Sequence, residues 1–381
     1  MPKLGLSNIL TSSGAPTKLD RWSLAFDGTN DYVDCGTSAT LRTAAFSVGC
    51  WVKFDEAGNT GVISSVDNSD TADRSGFSIN RDSASRFQLR LGKDSTLTSM
   101  VSSRNDIDED EWFHVIYTYD GSTQRVYVNG IADGTNSTSG TYAVSTERFI
   151  ISSYYANSAG GDSLALAQSI SDAFYYNTAI TAGQVTELYN NGKPFNHTTG
   201  SAAGNLAGWW RMGDGAGDKG SDSDGANFVG DGSSSTALGP ELITDTSFDD
   251  DSEWSSIGTG WTVNTGTAGK AVGTATTGAI AKNSILTAGQ VYKITYTISD
   301  YTSGSVRMTC GGTSTPSNGP TRTAVGTYTD YLRADATIHF GIDGYSAFTG
   351  ALSDISVRAI GSVNGGLMYN MDAADFEQDT P

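Results

Sequence analysis

From Trp22 onward the sequence is a succession of short apolar-alternating runs, "FSVGCWVKF", "RFQLRLG", "WFHVIYTYDG", "RVYVNG" and "ERFIISSYY", separated by Gly, Asn and Asp. Strand side chains alternate between two faces, and "DG" and "NG" supply the positive-φ residues that tight hairpins need. Runs of this length and period predict an antiparallel β-sandwich. In "WFHVIYTY" both alternating sets are bulky, Phe113, Val115, Tyr117 and Tyr119 against Trp112, His114 and Ile116. That suits a strand covered on both sides. One segment breaks the pattern: "TAGQVTELYNNGKP" sets Val185, Leu188 and Tyr189 at i, i+3, i+4 spacing before an Asn-Gly and a Pro, which predicts a helix.

At 381 residues the chain is too long for one ordinary core, so two domains are expected. The boundary falls at 213–239, where "GDGAGDKGSDSDGANFVGDGSSSTALG" has linker composition. Strand patterns return after it. In "VYKITYTISDY", Tyr292, Ile294, Tyr296 and Ile298 alternate with Lys293, Thr295 and Thr297, a half-buried strand. The expected organisation is an all-β chain of two antiparallel β-sandwiches. It comprises an N-terminal docking arm at 1–20, a first sandwich at 21–212, the linker, a second sandwich at 240–361 and a C-terminal tail at 362–381.

With 42 acidic residues against 23 Lys and Arg, the net charge is -19, which repels a phosphate backbone and argues against nucleic acid as a partner. No run reaches the length of a membrane span, and no signal-peptide pattern occurs at "MPKLGLSNILTSSGAP". Cys35, Cys50 and Cys310 cannot all pair and lack CxxC spacing, so they read as buried thiols of a chain made in a reducing cytoplasm.

In order and spacing, "LAFDGTNDYVDCG", "FSVGCWVKF", "WFHVIYTYDGSTQRVYVNG" and "SISDAFYYNTAITAGQVTELYNNG" resemble the laminin-G-like branch of the concanavalin A-like lectin/glucanase superfamily, over roughly residues 22 to 195. The second sandwich, opening "ELITDTSFDDDSEWSSIGTGWTV" and closing "GALSDISVRAI", resembles jelly-roll carbohydrate-binding modules. "NLAGWWRMGDG" and "NGGLMYNMDAADFEQDTP" resemble tailed-phage virion proteins of the marine phage and cyanophage type, in which the two pieces lie close together in sequence. The resemblance implies that the second jelly roll is inserted into a loop of the lectin-like one, and that "GLMYNM" returns to the first domain or to a neighbour.

The acidic stretch "DIDEDEW" (Asp106 to Trp112) raises glycan hydrolysis, because glucanases of this superfamily carry paired carboxylates. A retaining pair must sit on one strand face about 5–5.5 Å apart, whereas Asp108, Glu109, Asp110 and Glu111 are consecutive. A solvated turn is expected instead, and the chain is read as a non-enzyme. His114, His197 and His339 show no zinc spacing. No cofactor is expected, and structural calcium is left unassigned, both at the linker aspartates Asp214, Asp218, Asp222, Asp224 and Asp231 and at Asp27, Asn30 and Asp31.

Sugar binding requires exposed rings. By composition the glycan-binding candidates are Trp254, Trp261, Tyr301 and Tyr345. Interface candidates are Leu4, Leu6 and Ile9 of the arm, Trp210, and Met368, Tyr369 and Met371 of the tail. Of the adjacent Trp209 and Trp210, one is expected in the core and the other as an interface anchor. The resemblance implies a virion surface structural protein, as capsid decoration or as a fibre component. Its expected partners are capsid or tail proteins of the same particle, sister copies in a homo-oligomer with a trimer expected, and glycans. A receptor-binding adhesin and a glycan hydrolase are the alternatives, the latter argued against by the missing paired acids.

Overall fold

A computed structural model describes residues 22–67, 75–93, 96–102, 104–137, 141–153, 166–213, 228–229, 238–263, 271–275, 278–312, 317–361, 364–369, 371 and 375–381. The chain is nearly all β, as its alternating runs predict. It opens with β1 (Ser23–Asp27), β2 (Tyr32–Asp34), β3 (Phe46–Phe54), β4 (Thr60–Asp67) and β5 (Ser75–Arg81). Next come β6 (Phe87–Lys93), β7 (Thr96–Val101), β8 (Trp112–Tyr119), β9 (Thr123–Val128) and β10 (Ile131–Ser137). β11 (Ile150–Ile151) and β12 (Ala167–Tyr176) lead to helix α1 (Ala182–Tyr189), and β13 (Leu206–Trp210) and β14 (Phe228–Val229) follow.

Two antiparallel sheets enclose the first core. The back sheet runs β10-β9-β8-β3-β12-β1 and ends on β25 (Phe376–Glu377), with β13 also on β12. The front sheet runs β14, then β24 (Gly366–Tyr369), then β2-β11-β4-β5-β6-β7. Between them lie Phe46, Phe77, Phe113, Tyr117, Tyr175 and Trp210, all buried. β8 is covered on both sides as expected: Phe113, Val115 and Tyr117 face this core, while Ile116 joins a smaller cluster with Phe174, Trp209, Val185 and Leu188. That second cluster sits under α1, whose start is fixed by a capping box between Thr181 and Gln184.

The second sandwich comprises β15 (Leu238–Glu241), β16 (Ser256–Ile257), β17 (Trp261–Val263), β18 (Ala271–Ala275), β19 (Gly278–Asn283), β20 (Val291–Gly311), β21 (Ser317–Asn318), β22 (Gly326–Arg333) and β23 (His339–Ile360). These strands form one continuous hydrogen-bonded sheet that folds over its own core. The fold comes from irregular pairing of the two longest strands between Thr297 and Ser305, opposite the left-handed residues Ser346 and Ala347. Gly304 there has φ +74°, and a Cβ would stand 2.4 Å from the Phe348 nitrogen, so the crossing requires glycine.

After the second sandwich the chain re-enters the first. β24 pairs with β2 and with β14, so Phe228–Val229, inside the stretch read as linker, is a strand. The two sandwiches meet through Phe228, Leu367, Val291, Tyr331 and Ile360, with Phe228 stacked on Tyr331 at 4.8 Å. Arg333 crosses the junction, donating to the carbonyls of Asp34 (3.3 Å) and Gly365 (2.7 Å). No helix among the described residues is long and apolar enough to cross a membrane.

Candidate functional site

The outer face of the front sheet is where polar chemistry collects. Val33, Ile63, Phe77, Ile79, Leu89, Leu91, Ile151 and Met368 point into the core, so their strand neighbours point out. Register aligns these neighbours in one row across the sheet: Phe228, Leu367, Asp34, Ile150, Ser64, Ser78 and Arg90. At the Phe228 end the row is covered by the second sandwich. Beyond it, Tyr369 stacks on Tyr32 at 4.7 Å with planes 6° apart and is 37% exposed. Asp34 accepts from Arg148 at 2.9 Å. Burial disfavours charge on Arg148, yet the Asp34 carboxylate holds the guanidinium protonated above its usual range. Burial, and then Asp34, push the Tyr369 phenol up, so it stays a hydroxyl donor.

At the far end, Asn80, Gln88 and Arg90 line an indentation of about 50 Å³ together with Asn59, Thr60, Arg81 and Asp82. Arg90 is oriented by donating its Nε to Gln88 Oε1 at 2.6 Å. The Asn80 Oδ1 and the hydroxyls of Ser64 and Ser78 are buried with no hydrogen-bond partner among the described residues. Leaving a buried acceptor unpaired costs about 1–3 kcal/mol. From β24 to β5 there are four strand spacings of about 4.8 Å, so the row from Tyr369 to Asn80 extends over about 19 Å.

The residues singled out from the sequence are placed differently. Trp254 and Trp261 are core residues, 6% and 5% exposed, and this corrects their reading as sugar platforms. Trp254 stacks on Phe248 at 5.3 Å and donates its Nε1 to Asp245 at 2.9 Å; Trp261 stacks on Phe348 at 5.5 Å. Their rings supply apolar volume to a small core. Tyr301 is half-buried, its hydroxyl bound to the Gly304 carbonyl. Tyr345 is 49% exposed, with the Arg307 guanidinium 5.2 Å from its ring centre.

Both tryptophans of "GWW" are buried, on opposite faces of the back sheet, so neither is an external anchor. Trp210 donates its Nε1 to the Asn364 carbonyl at 2.8 Å. Met368 and Met371 are buried in the first core, which removes them from an external interface and leaves Tyr369 as the exposed member of that trio. Leu4, Leu6, Ile9 and the linker aspartates lie outside the described residues.

The acidic run is a turn feeding β8. Ile107 is buried beneath it, Asp110 has φ +62° and Glu109 pairs with the buried Arg81, so the carboxylates do not line a strand. In the Asp27–Asp31 loop the carboxylates serve the loop's own backbone: Asp27 accepts from Thr29 and Asp31 accepts from Asp27. Burial, with the charges of Asp27 and Asp375, outweighs that backbone hydrogen bond and raises the Asp31 carboxyl to about 6. Among the described residues no group of three or more His, Cys, Asp or Glu stands placed to hold a metal.

His197 belongs to a buried network under α1, bonding Tyr176 at 2.7 Å and Asp172 at 3.3 Å, with Trp209 donating to the same carboxylate. Burial works against the Asp172 charge, yet His197 and Trp209 hold it ionised. Cys35, Cys50 and Cys310 are buried thiols.

Residues 27–186 match a laminin G family model described as the concanavalin A-like lectin/glucanases superfamily. The matched stretch lies within the first sandwich. The chain is also similar to solved structures. A native heptameric SAP-like pentraxin from Limulus polyphemus aligns at 17% identity over 45% of this chain and 83% of that one, with a TM-score of 0.38. A putative carbohydrate binding protein from Bacteroides ovatus aligns at 14% identity over 57% of this chain and 56% of that one, with a TM-score of 0.40. The CBM40 of a Ruminococcus gnavus sialidase, bound to sialyllactose, aligns at 11% over 44% and 98%, with a TM-score of 0.35. No curated protein matches significantly.

Sequence reasoning missed Asn80, Gln88, Arg90, Arg148 and Tyr32. The polar alternation of "FSINR" and "FQLRL" carried a signal, but only register shows that these positions share a face with Tyr369.

Proposed function

We propose that the chain is a non-catalytic glycan-binding protein that holds saccharide at the two ends of the lectin-like domain's front sheet, displayed on the surface of a tailed-phage particle as capsid decoration or as a fibre component. The observation that carries the glycan reading is the row itself. An exposed tyrosine stack stands at one end and an amide–guanidinium indentation at the other. Sugars need these two elements, a ring to stack on and planar polar groups to bond hydroxyls.

The virion setting is supported by the two segments that resemble phage virion proteins. They are far apart in sequence yet packed together, with Trp210 bonded to Asn364 and Asn364 Nδ2 donating to the Ala207 carbonyl at 2.8 Å. A neutral-glycan array on the whole chain, followed by titration of Arg90→Ala and Asn80→Ala, tests the face. Each variant is expected to weaken binding about tenfold while the melting temperature stays within a degree or two, since Asn80 gives up no protein hydrogen bond at its Oδ1. Unchanged affinity in both variants would sink the face reading. Electron cryo-microscopy of purified particles tests the setting: hundreds of copies on the capsid lattice mean decoration, a few at the tail mean a fibre or adhesin, and absence from the particle removes the virion role.

A further inference from the structure

We propose that the outer face of the second sandwich carries a saccharide site of its own, built from Tyr345, Asp343 and Arg307 and taking one neutral hexopyranose unit. It goes beyond the front-sheet reading and does not rest on it, because it lies on the other domain and is carried by different residues. Phe340 and Ile342 of β23 point into the core, as do Val306 and Met308 of β20. Their strand neighbours Gly341, Asp343 and Tyr345 therefore point outward, with Arg307 opposite Asp343 in the register. On the other side of β23, β19 adds only small residues, Ala279 opposite Asp343 and Ala281 opposite Gly341. A Cβ on Gly341 would come within 2.5 Å of the Thr309 Oγ1, so that position stays bare. The result is a shallow, small-residue floor beside an exposed ring.

Tyr345 is 49% exposed, and the Arg307 guanidinium lies 5.2 Å from its ring centre. Arg307 spends Nη2 on Asp343 Oδ2 at 3.3 Å, and its Nε is buried. What remains is one donor and one acceptor: Arg307 Nη1 and Asp343 Oδ1 have no hydrogen bond among the described residues, and their side chains are 24% and 26% exposed. These leftovers set the class of ligand. A phenol ring packs against the C–H face of a pyranose, a carboxylate oxygen accepts from its hydroxyls, and a guanidinium N–H donates to a hydroxyl oxygen. An acidic sugar fits less well, because Asp343 and Arg307 offset each other's charge and the chain's net charge of -19 repels a further anion. An open sheet face encloses little of its ligand, so a single sugar unit binds weakly, at about millimolar Kd.

The test titrates methyl glucoside, methyl galactoside and methyl mannoside into the whole chain carrying Arg90→Ala, with binding followed by ligand-observed NMR. At least one probe is expected to bind. Adding Tyr345→Ala or Asp343→Ala is expected to weaken that binding by about tenfold or more, while Tyr345→Phe, which keeps the ring, stays within about threefold. The melting temperature should hold in every variant, since none of these side chains belongs to the core. No binding by the Arg90→Ala chain, or binding that survives either alanine substitution, overturns the proposal. The wild-type chain separates the two readings. Binding lost with Tyr345→Ala but untouched by Arg90→Ala sinks the front-sheet reading and leaves this site standing; binding lost with Arg90→Ala but untouched by Tyr345→Ala does the reverse.

Discussion

At the scale of single residues, burial decides which polar groups are structural. His114 lies on the back of β8, 4.8 Å from the Trp51 ring and 5.9 Å from that of Tyr189, and neither ring nitrogen has a partner among the described residues. Burial is the main cause of a pKa lowered to about 3, with the charges of Asp172 and His197 acting in opposite directions. Between about 3 and the ordinary 6.5 the unfolded chain therefore binds a proton that the folded chain refuses. Stability should fall as the pH drops below 6.5, with a slope from this group approaching about 1.4 kcal/mol per pH unit. Urea unfolding at pH 4 to 7 checks this: His114→Phe keeps the aromatic packing and should flatten the slope relative to wild type. An unchanged slope would mean that His114 does not govern acid sensitivity.

At the scale of elements, local signals and tertiary demands agree for most strands and for the helix. The helix expected from the spacing of Val185, Leu188 and Tyr189 is present, and Thr181 and Gln184 cap its start. Thr181→Ala should cost about 1 kcal/mol of stability, read as a drop in the urea midpoint, and Thr181→Ser should restore most of it. Elements whose form depends on distant partners were not legible in the same way. Nothing in "YTSGSV" or "GYSAFTG" announces that two strands of more than twenty residues cross and bend together, because the bend arises from the register of each against the other. Likewise "ANFVGDG" has linker composition, yet Phe228 becomes a strand residue because β24, more than a hundred positions later, supplies its hydrogen bonds.

At the scale of the whole molecule, the junction couples the two sandwiches. Phe228 stacks on Tyr331, and Arg333 grips carbonyls from both sides of the insertion point. Tyr331→Ala should uncouple them. Calorimetry is expected to show one cooperative unfolding transition for the wild-type chain and two for the variant, with the lectin-like domain retaining its own core. Two transitions in the wild type would show that the junction is too weak to couple the domains.

The all-β class, the paired faces of β8, the capped helix and the turn character of the acidic run were all determined by the sequence itself. Each depends on residues within a few positions of one another, where side-chain period and turn chemistry act directly. The tertiary structure alone decided which aromatic rings reach solvent. Trp254 and Trp261 read from composition as sugar platforms and Trp210 as an interface candidate, but each fills a core assembled from segments far away in the chain. It also decided which polar residues share a face: Asn80, Arg90 and Tyr369 come from strands aligned by hydrogen-bond register, and no local pattern encodes a register set by strands distant in sequence.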